Sequence, residues 1–221
     1  MLLVEYTVYV MPIIRSDRLR IHADSPAQRE ALGETLALYR RLVRDLMTVV
    51  FTHWPLVGRI EGKAVVPVIE QLIHPTSKRP DVRYRYFARR YHKFPSYLRR
   101  VAINDAVGQV RSFMSRYGDW LDGLRHHPNA RPPKLTVSTN TFPSLYAGQC
   151  IKLNESATQA FIKVRYQNDW IWMSFRLSGK CRYRGRGTGK SPLLTFNGKQ
   201  WGLSLPEEFE PAKAAGAPRR V

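Results

Sequence analysis

The chain has 221 residues, a hydrophobic share of 43%, and 36 Lys and Arg against 17 Asp and Glu, a formal net charge of +19 with a pI near 10.4. That much apolar material builds a real core in one or two domains, and the charge excess points to a polyanionic partner. Two cysteines, Cys150 and Cys181, offer neither a disulfide framework nor a metal set and fit a reducing, cytoplasmic setting. No stretch is long enough to span a bilayer, and no basic amphipathic helix with a clean apolar face or lipid anchor is present, so a membrane partner is not expected.

The apolar start, LLVEYTVYV, has no charged n-region and is interrupted by Glu5; its period of two predicts a first strand over about Leu2 to Ile14 rather than a signal peptide. Ser25, Pro26 and Gln28 then form a capping-box start. Behind it Leu32, Leu36, Tyr39, Val43, Leu46 and Val50 alternate steps of four and three, one side of a helix of about 27 residues. Gly58 and Gly62 break the pattern, a shorter helix is expected from Pro67 to near His74, and Pro75 and Pro80 bracket a loop.

From Lys78 to Arg100 there are nine Lys or Arg and one acid, Asp81, with six aromatics among them: Tyr84, Tyr86, Phe87, Tyr91, Phe94 and Tyr97. Cations hold phosphate, and aromatic faces stack on bases. The stretch therefore supplies candidate backbone contacts at Arg83, Arg85, Arg89, Arg90, Lys93 and Arg99, and candidate stacking at Tyr84, Tyr91 and Tyr97; the plain alternative is a solvated basic face whose aromatics are core. Within it a short helix is expected, after which Pro95 and Ser96 start a long one with Leu98, Ala102, Ala106, Val110, Phe113, Tyr117 and Leu121 at helical spacing. Arg100, Asn104, Gly108 and Arg111 form a stripe largely opposed to the apolar one. Arg and Asn one turn apart can read guanine or adenine edges, and Gly108 admits a close backbone; Gln109 lies off the stripe. The plain alternative is an exposed polar stripe with salt bridging through Asp105.

After a polar, proline-rich exit from His126 to Pro133 the period changes to two. Ala160, Ile162, Val164 and Tyr166 alternate with polar neighbours, Gln167 to Asp169 turn the chain, and Trp170 and Trp172 alternate with Ile171, Met173 and Phe175. Asn197-Gly198 marks a tight hairpin between Leu193 to Phe196 and Trp201 to Leu205, and strands are also expected at Leu135 to Thr139 and Ala147 to Leu153. The fold class read from this order is α+β, a small antiparallel OB-like barrel with helices inserted after its first strand. Its parts are residues 1–22 (first strand), 23–130 (helices), 131–208 (the rest of the barrel) and 209–221 (a loose tail).

On the barrel, Lys163 and Arg165 are further backbone candidates, while Trp170, Trp172 and Trp201 either stack bases or cover the barrel's mouth. Gly185 to Ser191, GRGTGKS, is similar to a P-loop but fails its spacing, since Arg184 stands where the first glycine belongs and Pro192 blocks a helix. With Arg176, Lys180, Arg182, Arg184, Arg186 and Lys190, and no acid between them, it reads as a flexible basic loop able to wrap an RNA backbone, the plain alternative being an ordinary hairpin loop. Glu207, Glu208 and Glu210 read as solvated linker charges. The six histidines show no ligand spacing, so no metal site is expected, and no residue sits in a nucleophile setting.

FPSYLRRVAINDAVGQVRSF, RPPKLTVSTNTFPSLY, IKVRYQNDWIWMSFRL and WGLSLPEEF together resemble the amino-terminal half of the transposon-encoded TnpB nucleases and their type V CRISPR relatives. The resemblance covers most of residues 2 to 208, though not Gly58 to Arg90. It implies a wedge barrel interrupted by a helical recognition lobe, a structured guide RNA and target DNA as partners, and a nucleoid-associated place in a prokaryotic cytoplasm. It places the readers of the target-adjacent motif on Arg100 and Asn104. The RuvC-like nuclease domain and zinc finger that follow in that family have no counterpart here. The resemblance thus implies a half with no catalytic residues and no cofactor of its own, Mg²⁺ entering only with a RuvC-like partner subunit; a second copy is the other protein partner considered. A nuclease-free RNA-guided repressor and a generic structured-RNA binder are the alternatives.

Overall fold

The computed structural model describes residues 12–124 and 130–210. The chain runs β1 (Ile13–His22), α1 (Pro26–Thr52), α2 (Trp54–Val57), α3 (Val65–Ile73), α4 (Tyr86–Arg90), α5 (Ser96–Leu121), β2 (Ile151–Leu153), β3 (Gln159–Tyr166), β4 (Asp169–Ser178), β5 (Thr188–Gly189), β6 (Leu193–Phe196) and β7 (Trp201–Phe209). It is an α+β fold in which a curled antiparallel sheet forms a half-barrel.

The strand order is β2-β3-β4-β1-β7-β5, with β6 sharing the same edge of β7 as β5. β1 is central: it pairs along its whole length with β7 and through Arg20, Ile21 and His22 with β4. The gap between β6 and β3 is spanned by irregular chain. Leu145 N–H donates to the Pro192 carbonyl at 2.6 Å, and Lys163 N–H donates to the Cys150 carbonyl at 2.9 Å.

The α1 start carries its capping box: Ser25 Oγ accepts from Gln28 N at 3.1 Å and Gln28 Oε1 accepts from Ser25 N at 3.0 Å. The same Gln28 donates to the Ser174 carbonyl of β4, so one cap also seats the helix on the sheet. Leu32, Leu36, Tyr39, Val43, Leu46 and Val50 are all buried, α1 packing against β3 on one side and α5 on the other. Thr35 of α1 completes the seat, its Oγ1 accepting from Arg165 N at 2.7 Å where β2 has already ended.

Several expectations are corrected. The first strand described runs from Ile13 to His22, past the expected end at Ile14; residues 2–11 of the expected span lie outside the described residues, as do His126, His127 and 211–221. Leu135 to Thr139 forms no ladder, and within it Ser138 N–H donates to a side chain, Gln109 Oε1, at 2.8 Å. The strand expected from Ala147 shrinks to Ile151–Leu153, since Gly148 takes φ +74° in a turn. The short helix begins at Val65, and β7 runs through Pro206 to Phe209 instead of ending near Leu205.

Candidate nucleic-acid interface

Alternation decides what the sheet shows outward. On β3 and β4, Ala160, Ile162, Val164, Phe175 and Leu177 are buried, which turns Phe161, Lys163, Arg165, Trp172, Ser174 and Arg176 to the other face. Phe161 and Trp172 keep 43% and 39% of their surface exposed, large values for rings inside paired strands. Trp172 lies opposite Lys163, and the Lys152 and Lys163 ammonium groups sit 5.0 and 5.9 Å from its ring centroid. Arg18 and Arg20 extend this face across β1, where Gly202, Ser204 and Thr195 oppose them with small side chains. A groove of about 770 Å³ opens there, flanked by Phe142, Asn140 and Gln200. Cations beside exposed aromatic rings on a sheet are what a single-stranded polyanion with stackable bases requires.

The basic aromatic segment is built differently. Phe87, Tyr91 and Phe94 are buried at 3%, 8% and 6% exposure. Tyr91 therefore belongs to the core and not to an open stacking surface: its hydroxyl donates to Asp45 Oδ2 at 2.7 Å, and burial, with that carboxylate next, raises its pKa. Tyr84 is half-buried and bonded to His53 Nε2 at 3.0 Å, and Tyr97 packs on Tyr146 at 5.1 Å between centroids. Trp170 stands edge-on to Phe94 at 5.1 Å, its indole N–H buried without a partner, so it closes the end of the hairpin against the helices.

Many of the cations here are also engaged. Arg99 is largely buried on Glu70, Arg90 pairs with Asp45, Lys93 with Asp169 and Arg85 with Asp81. Arg83 lies over the Tyr84 ring, and Arg89 is exposed.

Along α5, Arg100, Asn104, Gly108 and Arg111 are exposed in one stripe, as their spacing predicts. A Cβ at Gly108 would meet nothing within 4 Å, so a backbone can approach there. Arg100 pairs with Glu70 at 3.5 Å and lies over the Tyr97 ring while keeping half its side chain exposed, and Arg111 donates to the Ile60 carbonyl at 3.2 Å. Gln109 is spent internally: its amide donates to Thr141 Oγ1 at 2.9 Å and accepts from Ser138 N, fastening the 138–141 segment to the helix. Asp105 does not bridge the stripe. It turns inward to accept from the Tyr39 hydroxyl at 2.7 Å, and burial raises its pKa although that bond opposes the shift.

The glycine-rich basic loop is pinned rather than flexible, and the residues that pin it escaped the sequence reading. Asp17, 3% exposed on β1, accepts from the backbone N–H groups of Arg182, Tyr183 and Arg184 at 2.8, 3.0 and 3.0 Å. Glu207, 5% exposed on β7, accepts from Gly185 N and Gly187 N at 3.1 and 3.3 Å. Glu207 is thus no solvated linker charge. The amides that a P-loop would turn to phosphate are filled by the protein's own carboxylates. Burial pushes the Asp17 pKa up, but the three N–H donors outweigh it and hold the group below its ordinary value. Arg184 reaches the Asn154 and Glu155 carbonyls and Lys190 pairs with Glu208, while Arg182 and Arg186 are left on the loop's exposed surface.

Among the described residues no group of three His, Cys, Asp or Glu could hold a metal ion, and no helix is long and apolar enough to cross a membrane.

A family model matches residues 15–166, most of the chain, from β1 through all five helices to the end of β3. The chain belongs to the Aq_aa04 family. The Aq_aa04 match takes in the α5 stripe, the basic aromatic segment and Lys152, Phe161, Lys163 and Arg165 of the sheet face, while Trp172 and the pinned loop lie beyond it. No curated protein matches the chain.

Proposed function

We propose that this protein binds nucleic acid, holding a structured guide RNA on the outward face of its half-barrel and reading target-adjacent DNA with α5, as the guide-binding half of an RNA-guided, TnpB-like or type V-like system. In this reading the half-barrel is an OB-like wedge and the helices between β1 and β2 are an inserted recognition lobe. Cleavage, if the system cuts, belongs to a separate RuvC-like subunit that brings its own Mg²⁺.

The observation that carries the proposal is Trp172, exposed on a paired strand between Lys152 and Lys163 and continuous with Phe161, Arg165 and Arg176. A Trp ring left open inside a sheet costs apolar burial, and flanking cations make it a platform for a base and its phosphates. Arg18, Arg20 and Arg176 continue the positive track, and the pinned loop adds Arg182 and Arg186. The α5 stripe supports the DNA half of the reading: Arg100 and Asn104 are exposed one turn apart beside the open Gly108.

The test is to sequence the RNA that copurifies with the protein. A single defined species with a structured end supports a guide, and the guide-loaded protein should then select DNA from a library with randomised flanks. A smear of cellular RNA with no flank preference would leave a general RNA binder and end the guide reading.

A further inference from the structure

Where α3, α4 and the start of α5 meet there is a pocket of about 250 Å³ that the sheet-face reading does not use. Its floor is Ile73, Phe87, Tyr91 and Phe94, all buried. Its rim is His74, His92, Lys93 and Arg99. The volume lies below the ~300–1,000 Å³ of pockets for drug-sized ligands, so it admits one flat ring system and little more.

Floor and rim ask for different things of one occupant. The aromatic floor favours a ring face, and the exposed His92 and Lys93 at the mouth favour an anion, which at Lys93 would take the place of the exposed 3.5 Å pairing with Asp169. His74 is held neutral near pH 7, since burial and then the neighbouring Arg99 lower its pKa; a neutral imidazole can donate and accept, which suits the edge of a heterocycle. Lys93 takes φ +58°, a left-handed conformation that strains a lysine and that concentrates at ligand clamps. A ring with hydrogen-bonding edges joined to an anion is a nucleobase with its phosphate.

We propose that this pocket receives a single nucleobase of a bound nucleic-acid strand, its ring over Phe87, Tyr91 and Phe94 and its phosphate at Lys93 and His92. The inference rests on the nucleic-acid reading above but uses none of its residues on the sheet. It gives the basic aromatic segment a role that its buried rings deny to open-surface stacking.

The full chain is titrated separately with 5′-AMP, 5′-dAMP and single-stranded oligoadenylate while the resonances of His74, Phe87 and Tyr91 are followed by NMR. All three resonances should shift with each probe, and the two mononucleotides compared show whether a 2′-hydroxyl is read. Ala88→Trp, an exposed lining position that fills the mouth, should weaken the mononucleotide response tenfold or more, and His92→Glu should weaken it while leaving the fold intact. No shift below about 10 mM mononucleotide, or a response that survives Ala88→Trp, overturns the pocket. Shifts with the mononucleotides but none with oligoadenylate overturn the strand and leave a free-nucleotide site. If instead the sheet reading is the one in error, Trp172→Ala will leave oligoadenylate affinity unchanged while the AMP response at the pocket persists, so the two ideas fail separately.

Discussion

The basic aromatic segment and the outward sheet face are made of the same residue types and do opposite things with them. Between Lys78 and Arg100 Phe87, Tyr91 and Phe94 turn inward and join the core, with Tyr86 the ring left outside at 39% exposure, while several cations there answer carboxylates on α1, α3 and β4. On β3 and β4 the rings at Phe161 and Trp172 stay outside, and the lysines gather around a ring instead of an acid. Local density of Lys, Arg and Tyr does not separate the two cases. Periodicity does, because an alternating strand with one apolar face already buried leaves its other face to solvent, whereas a short irregular stretch between helices can rotate most of its rings inward.

The sharpest way to break this contrast is to truncate one ring in each region. Phe87→Ala should destabilise the fold by about 3–5 kcal/mol in denaturant titration. Trp172→Ala should leave stability within about 1 kcal/mol but weaken single-stranded RNA binding by about 1–3 kcal/mol in a filter-binding or anisotropy assay. If Trp172→Ala unfolds the protein, or Phe87→Ala costs nothing, the assignment of inside and outside is wrong.

Next in size is the salt dependence. Contact with six to ten phosphates makes affinity fall roughly a thousandfold or more between about 50 and 200 mM salt. Replacing Lys152, Lys163 and Arg165 together by alanine should flatten that slope by about two to three phosphates' worth, and replacing Arg182 and Arg186 by about one to two. Replacing Arg85 and Arg90, which pair with Asp81 and Asp45, should hardly change it.

The α5 stripe offers a test at the level of sequence choice. Arg100→Ala and Asn104→Ala should each relax discrimination among target-flanking sequences by about 1–3 kcal/mol per lost base contact, read from a randomised library, with guide-RNA affinity and stability little altered. Gln109→Ala should instead loosen the 138–141 segment, visible as faster hydrogen exchange at Ser138.

The smallest expected effect concerns the loop's anchor. Asp17 has a depressed pKa in the fold, so its contribution is fully present above the unfolded aspartate value of about 3.9 and is lost as pH falls through the lower folded value. Hydrogen exchange at Arg182, Tyr183 and Arg184, corrected for intrinsic rates, should therefore stay slow down to about pH 4 and quicken below it. Asp17→Asn should quicken it at neutral pH. Unchanged protection in Asp17→Asn would mean that the loop holds itself.

What could be read ahead of the structure was whatever is encoded within a few residues. The Ser25–Gln28 cap fixed the start of α1, and Asn197-Gly198 located the β6–β7 hairpin. The turn at Gln167 and Asn168, both in the left-handed region, set the pairing of Lys163 with Trp172. What could not be read depends on partners far along the chain. Glu207 looks like a linker charge until Gly185 and Gly187 fold over it, and Leu135 to Thr139 looks like a strand until Gln109 takes its amide. Tyr91 looks like a stacking residue until Asp45 comes from α1 to meet its hydroxyl. On α5 the stripe was legible because a long helix fixes its own faces, yet the inward turn of Asp105 needed Tyr39, a residue of another helix.

The central place of β1 has a consequence for biosynthesis. Ile21 meets Trp201 and Ile13 meets Phe209, so the first strand of the half-barrel leaves the ribosome long before its principal partner exists. The helices, joined by nearer contacts, can consolidate during that interval, and the sheet is the late, slow step. Until then β1 presents an unpaired edge to every other nascent chain. Arg15, Arg18 and Arg20, spaced along it, are the kind of charged gatekeepers that keep such an edge from pairing with the wrong neighbour while the protein is being made.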